Sequence, residues 1–147
     1  MNNTNNDALK LENQLCFPLY AASKEVIKQY KPYLDAIDLT YTQYITMMIL
    51  WERKSLTVKE LGKRLYLDSG TLTPLLKKLE AKGLITRARS SRDERNLDVT
   101  LTEKGEALKQ MASDIPEQMA KCVKLSAEDA LQLYTLLYKI LEKMSEE

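Results

Sequence analysis

The chain has 147 residues, of which 44% are hydrophobic and 29% charged, with four glycines and four prolines. This composition is typical of one helix-rich globular domain, or of one domain with an added helical layer. The absence of histidine excludes Ser-His and Cys-His catalysis and most zinc sites. The two cysteines lie far apart and form no metal-ligand motif, so neither a metal nor a cofactor is expected. No apolar run is long enough to cross a bilayer, and a cytoplasmic protein with reduced thiols is expected.

The net charge of +1 conceals an uneven distribution along the chain. Residues 1–50 carry a net charge of −1, residues 51–100 carry +5, and residues 101–147 carry −3. A basic middle between two acidic flanks indicates a surface that attracts a polyanion.

Two helices are predicted before residue 54. The first covers about residues 9–30, is apolar on all sides, and is expected to end at Lys31 and Pro32. Pro18 leaves two alternatives: the helix begins near Cys16 with the proline in its first turn, or it is kinked at Pro18. The second helix covers residues 42–53. Its expected core face consists of Tyr44, Ile45, Met48, Ile49 and Trp51.

Residues 57–101 have the element order of a winged helix-turn-helix. Thr57 and Glu60 form a capping box that opens a third helix. After a turn at residues 66–70, in which Asp68 or Ser69 can act as the cap, a fourth helix covers residues 69–82. Its buried face and its carboxyl-terminal cap are predicted to be Leu72, Leu75, Leu76, Leu79 and Gly83. Two strands at residues 84–89 and 97–101, joined by a charged tip, form the predicted wing.

The carboxyl-terminal part is predicted to be helical, with Thr102 capping a long helix to about residue 120 and a last helix over residues 127–144. The last helix is introduced by Ser126 and Asp129 and carries an apolar surface wider than one core-facing stripe. We expect residues 1–35 and 103–147 to form a helical dimerisation region around a winged helix-turn-helix at residues 36–102. A larger monomeric core is the alternative. The predicted fold class is therefore mainly α with a small β wing, in which the terminal helices form a dimerisation layer.

Two groups of side chains are predicted to contact double-stranded DNA. Hydroxyl groups and lysines can reach base edges and phosphates, and the amino end of a helix attracts a phosphate. Arginines on a short hairpin suit a narrow minor groove, and Asp93 can orient Arg95 by a charge-assisted bond. For the predicted helix at residues 69–82 alone, the alternative is a polar face that contacts only solvent. The arginines of the predicted wing favour DNA binding instead. The predicted DNA contacts are Ser69, Gly70, Thr71, Thr73, Lys77, Lys78, Arg87, Arg89, Arg92, Asp93 and Arg95.

Cys16 is a candidate reactive thiol. A cysteine of no special context is most often a small buried apolar residue. If the helix begins here, however, its dipole stabilises a thiolate at Cys16, and Tyr20 lies one turn later with a hydroxyl that can donate to sulfur.

The sequences LDSGTLTPLLK at residues 67–77 and DER at residues 93–95 resemble the multiple antibiotic resistance regulator (MarR) family. The sequence QLCF at residues 14–17, with Tyr20, resembles the organic hydroperoxide resistance regulators and their redox-sensing staphylococcal relatives. This resemblance implies a homodimeric repressor that binds a pseudo-palindromic operator and is not an enzyme. It also implies a sensing cysteine held by one tyrosine of its own helix and two of the partner, which correspond to Tyr20, Tyr30 and Tyr41. Cys122 occupies a position comparable to that of a resolving thiol.

The expected mechanism is oxidation of Cys16 by an organic hydroperoxide to a sulfenic acid. Cys122 of the partner subunit, or a small-molecule thiol, then condenses with it, and the operator is released. Two other classes remain open. A repressor of the same fold would respond to a phenolic ligand, and a thiol peroxidase would consume hydroperoxide continuously. An architectural DNA protein would show no sequence preference.

Overall fold

The computed structural model describes residues 7–146, which form ten regular elements and a short 3₁₀ helix at Leu11–Asn13. The first unit extends to Ile115 and the second begins at Pro116. The helices are α1 (Cys16–Asp35), α2 (Tyr41–Arg53), α3 (Val58–Leu65), α4 (Ser69–Ala81), α5 (Glu103–Ala112), α6 (Ile115–Cys122) and α7 (Ala127–Ser145). The strands are β1 (Ser55–Thr57), β2 (Ile85–Arg89) and β3 (Leu97–Leu101). No helix within residues 7–146 combines the length and the apolar character needed to span a membrane.

Helix α1 begins at Cys16, which places Pro18 in the first turn and decides between the two alternatives for that proline. The predicted end at Lys31 and Pro32 is wrong, because the helix continues through Pro32 to Asp35. Pro32 removes one backbone donor, but the extra turn buries Leu34, which is 3% exposed. Burial of this leucine therefore outweighs one missing hydrogen bond near the helix end.

The winged helix-turn-helix is confirmed, with one strand more than predicted. The three-stranded antiparallel sheet has the order β1-β3-β2, and Leu56 of β1 pairs with Val99 of β3. The capping box of Thr57 and Glu60 is present, Asp68 caps α4, and Gly83 follows α4 with a φ of 75°. The four predicted leucines of α4 are all buried.

The core face of α2 differs from the prediction at several positions. Tyr44 and Trp51 are buried as expected, whereas Met48 is 43% exposed and Met47 is fully enclosed. Met47 and Leu50 lie on the face that packs against α3 and α4, so the buried stripe is rotated by about one residue.

The single long helix predicted between residues 102 and 120 is wrong, because α5 ends at Ala112 and α6 begins at Ile115. Pro116 explains the interruption. A proline has no N–H for the carbonyl of residue 112, and its ring collides with that carbonyl in a continuous helix. The second unit contains the rest of α6 together with α7, which Ser126 caps at the backbone N–H of Asp129.

Candidate nucleic-acid interface and sensor cysteine

The predicted recognition helix α4 has a buried leucine face and a polar face. Asp68 accepts a 2.7 Å hydrogen bond from the N–H of Thr71, and this bond lowers the pKa of the Asp68 carboxyl. Because the cap lies before Ser69 and Gly70, both residues lie in the exposed first turn. Thr71, Lys77 and Lys78 are also exposed, and Thr73 is half-buried. The polar side chains predicted to contact DNA thus share the accessible part of the helix.

The tip of the wing is organised by Asp93. Its carboxylate accepts 3.1 Å and 3.4 Å hydrogen bonds from the backbone N–H and the Nε of Arg95, and a 3.4 Å bond from the side chain of Asn96. The Ser90 N–H donates to the Asn96 carbonyl at 2.8 Å, which closes the hairpin. Asp93 therefore orders the turn that carries Arg95, whose side chain is 91% exposed.

The four wing arginines are not equivalent. Arg89, Arg92 and Arg95 are exposed, whereas the side chain of Arg87 is only 18% exposed and lies 3.1 Å from the Glu80 carboxylate. The Arg87 guanidinium lowers the pKa of Glu80 through this hydrogen bond. Arg87 thus ties β2 to α4, a contact that the sequence did not suggest.

A groove of about 410 Å³ lies between α3, α4 and the wing. Its cationic side chains include Lys59, Lys63 and Arg95, and Ser69 and Thr73 also line it. The two α3 lysines were missed as candidate DNA contacts. The sequence contains a pattern that indicates them, because the two lysines lie four residues apart on a helix whose other face carries Leu61.

Cys16 is the first residue of α1 and is exposed. The preceding residue, Leu15, provides no side-chain cap, so the backbone amides of the first turn remain available for an anion such as a thiolate. Tyr20 lies one turn later on the same face and is 60% exposed, with Lys24 Nζ 5.2 Å from its ring centroid. Cys16 and Tyr20 can therefore act together within one chain.

Tyr30 and Tyr41 lie together but away from the Cys16 of their own chain. Their ring centroids are 4.9 Å apart, and both rings also contact Tyr44. Tyr30 follows Cys16 by fourteen residues of one helix, which corresponds to roughly 21 Å along the axis. Burial raises the pKa of all three tyrosines, so they remain neutral phenols that can donate hydrogen bonds.

Cys122 is the last residue of α6 in the second unit and is half-buried. No disulfide joins it to Cys16.

Comparisons with known proteins identify the family. The family model for the transcriptional regulator SarA/Rot matches residues 28–111. The chain is 55% identical to the organic hydroperoxide resistance transcriptional regulator of Bacillus subtilis, over 94% of each chain. It is 47% identical to the HTH-type transcriptional regulator SarZ of Staphylococcus saprophyticus, over 90% of this chain and 91% of that one.

Solved structures of AbfR from Staphylococcus epidermidis are similar to this fold. Reduced AbfR bound to DNA superposes with a TM-score of 0.75 at 33% identity, covering 95% of this chain and 98% of that chain. Overoxidised AbfR bound to DNA gives the same values. Disulfide-formed AbfR gives a TM-score of 0.65 at 33% identity, covering 97% of each chain. The resemblance inferred from the sequence is confirmed: the chain is a transcriptional regulator rather than an enzyme, and it belongs to the organic hydroperoxide resistance regulators within the MarR-type family.

Proposed function

We propose that the chain is a homodimeric repressor that releases its operator when an organic hydroperoxide oxidises Cys16. The observation that carries this proposal is the placement of Cys16 at the exposed, uncapped start of α1. A thiolate is the nucleophile in such oxidations, and an exposed cysteine is accessible to the oxidant. The relative from Bacillus subtilis is named for organic hydroperoxide resistance, which supports the same oxidant class for this chain.

The sensor requires a second copy of the chain. Tyr20 is the one predicted donor within reach on the same helix, whereas Tyr30 and Tyr41 lie several turns away. In a dimer with antiparallel α1 helices, the start of one α1 approaches the end of the other. The partner's Tyr30 and the partner's Tyr41 then complete the pocket around Cys16.

Exposed apolar side chains support such a dimer. Leu15 is 81% exposed near the start of α1, and Leu131 and Met144 of α7 are 66% and 70% exposed. Side chains of this kind mark a protein interface when they occur along a whole helix.

The redox step proceeds in two reactions. The Cys16 thiolate attacks the distal peroxide oxygen, the O–O bond breaks, and an alkoxide leaves and takes a proton, which gives Cys16 sulfenic acid and an alcohol. The thiol of Cys122 of the partner subunit then attacks the sulfenic sulfur, forming a disulfide and releasing water. AbfR has been solved in a disulfide form, and its overoxidised form has been solved bound to DNA. Both observations favour disulfide formation, rather than oxidation alone, as the releasing event in this chain.

DNA binding rests on the exposed face of α4 and on the wing. Thr71, Lys77 and Lys78 reach the major groove and its phosphates, while Arg89, Arg92 and Arg95 reach the minor groove. In the dimer, the two recognition helices lie about 34 Å apart, one turn of DNA, and the two-fold symmetry of the dimer makes the operator pseudo-palindromic.

The test uses an operator fragment selected from random DNA by the reduced protein. Its affinity is measured by fluorescence anisotropy before and after treatment with cumene hydroperoxide. We expect oxidation to weaken binding by on the order of 100-fold in the natural protein. Cys16→Ser should bind equally well and ignore the oxidant. Release of DNA from oxidised Cys16→Ser protein would refute the switch, and release by a phenolic compound alone would favour the ligand-controlled alternative.

The role of Cys122 is tested separately by non-reducing electrophoresis. The oxidised natural protein should run as a covalent dimer, and Cys122→Ser should lose that band while still forming a trappable sulfenic acid. A covalent dimer that persists in Cys122→Ser would contradict the proposed pairing.

A further inference from the structure

A row of aromatic rings runs from α1 along one face of α2. Tyr41, Tyr44 and Trp51 are spaced three and seven residues apart, so they share a helix face. The ring centroids of Tyr30 and Tyr44 lie 5.9 Å apart, and those of Tyr44 and Trp51 lie 6.4 Å apart with an edge-on geometry. Tyr44 and Trp51 are 3% and 7% exposed. The row is thus continuous, half-buried at Tyr30 and Tyr41 and enclosed at Tyr44 and Trp51.

The row ends at a hydrogen bond to the first turn of α5. Trp51 Nε1 donates to the carbonyl oxygen of Gly105 at 2.8 Å, and the bond is buried. An indole N–H is only a donor, and a buried N–H without an acceptor is costly, so this bond fixes the indole against α5. Trp51 is the only tryptophan in the chain.

The first turn of α5, which contains Gly105 (the Gly105 turn), is fixed to the base of the wing, that is, to the residues just before β2 and just after β3. A Cβ atom at Gly105 would lie 2.2 Å from the Leu84 carbonyl oxygen, so the α5 backbone is in direct contact with the residue that precedes β2. Thr102 donates from its N–H to the Leu84 carbonyl at 3.1 Å and from its hydroxyl to the Gly83 carbonyl at 2.6 Å. The first turn of α5 and both wing strands are therefore held together by backbone contacts and by the Thr102 hydroxyl.

We propose that Tyr44 and Trp51 are positioning residues that transmit the state of the Tyr30 and Tyr41 pair to the base of the wing. The proposal rests on the proposed function in taking Tyr30 and Tyr41 as part of the sensor. A displacement of these two rings moves Tyr44, which is in contact with both. Tyr44 in turn moves the indole of Trp51, and the indole moves the Gly105 turn with the wing strands attached to it. Packed rings and a buried hydrogen bond suit this role because they have discrete arrangements rather than a continuous range.

The first test observes the indole directly in the reduced protein. With one tryptophan, a ¹⁵N–¹H spectrum contains a single indole signal, which should exchange slowly with solvent. We expect Tyr30→Leu to shift this signal and to speed its exchange, although residue 30 does not contact the indole in the aromatic row. Glu52→Gln, an exposed change beside Trp51, is the matched control and should leave the signal unchanged.

The second test measures coupling. Trp51→Phe keeps a ring against Tyr44 but removes the donor to Gly105. We expect the ratio of reduced to oxidised operator affinity to fall about tenfold, while the rate of Cys16 oxidation stays that of the natural protein. A purely structural role would lower the thermal midpoint without changing this ratio. Tyr44→Leu keeps the hydrogen bond of the indole but interrupts the row of rings, so it should reduce the same affinity ratio. This variant provides the test if Trp51→Phe folds poorly.

The inference is overturned if both folded variants keep the full affinity ratio, or if Tyr30→Leu leaves the indole signal in place. Failure of the proposed function is recognised independently, because it appears as an unresponsive natural protein or a responsive Cys16→Ser. In that case the indole measurement still decides the inference, since it uses only reduced protein and needs no oxidant.

Discussion

Between α2 and the start of α5, many large apolar side chains are buried in a core, whereas no residue of α7 is buried. Eight apolar side chains have exposures below 2%, among them Met47, Leu61, Leu79 and Val99. By contrast, Leu131, Tyr134 and Leu136 of α7 are 66%, 60% and 58% exposed. The DNA-binding part is therefore complete within one chain. The terminal helices leave apolar surface exposed, and the proposed dimer would cover it.

The largest effect is expected from placing a charge on the apolar surface of α7. Leu136→Glu should dissociate the dimer, because a carboxylate in an apolar interface has no partner. A monomer binds only one half-site, so operator affinity should fall on the order of 1000-fold. Sedimentation and fluorescence anisotropy measure the two effects. Glu128→Gln is the control. A Leu136→Glu protein that is still a dimer at micromolar concentration would show that α7 is not part of the interface.

A smaller effect is expected within the enclosed part. Gly105→Ala places a methyl group 2.2 Å from the Leu84 carbonyl oxygen, and overpacking of this kind lowers the free energy of unfolding by about 2 kcal/mol. Urea unfolding measures the change. Gly70→Ala is the matched control, since its Cβ would meet only the Asp68 side chain, at 3.3 Å. Equal stabilities of the two variants would show that the wing base can relax around the methyl group.

The smallest effects separate two arginines of one hairpin. Arg95→Gln should weaken operator binding about fivefold and reduce its dependence on salt by about one phosphate contact, with unchanged stability. Arg87→Gln should instead lower stability, because Glu80 loses the guanidinium that pairs with it and keeps only the hydrogen bond from the backbone N–H of residue 87. Anisotropy across a salt series and thermal unfolding distinguish the two. The reverse pattern would show that Arg87, and not Arg95, contacts DNA.

Local signals predicted most of the DNA-binding part. The capping box at Thr57, the leucine spacing of α4 and Gly83 each depend on neighbours within a few residues, and each is confirmed. Strand β1 was missed because three residues are too few for an alternating pattern, and its pairing with β3 is made over a long sequence separation. Pro116 is a local signal for the break before α6, but the prediction of one long helix did not take this proline into account.

The candidate site was predicted unevenly for the same reason. A helix start at Cys16 was one of the two alternatives that Pro18, a local signal, left open, and the structure confirms it. The pairing of Arg87 with Glu80, the contact of Trp51 with Gly105 and the Tyr30–Tyr41–Tyr44 cluster all join residues from different elements. Such contacts depend on how elements pack, which periodicity along one chain does not encode.

The pairing of β1 with β3 also bears on how the domain folds. The β2–β3 hairpin closes over a short loop, whereas Ser55 meets Thr100 across a separation of 45 residues. Short loops close first because they lose less chain entropy. We therefore expect the hairpin to form early and β1 to join last. During synthesis, the sheet stays incomplete until residue 101 has left the ribosome.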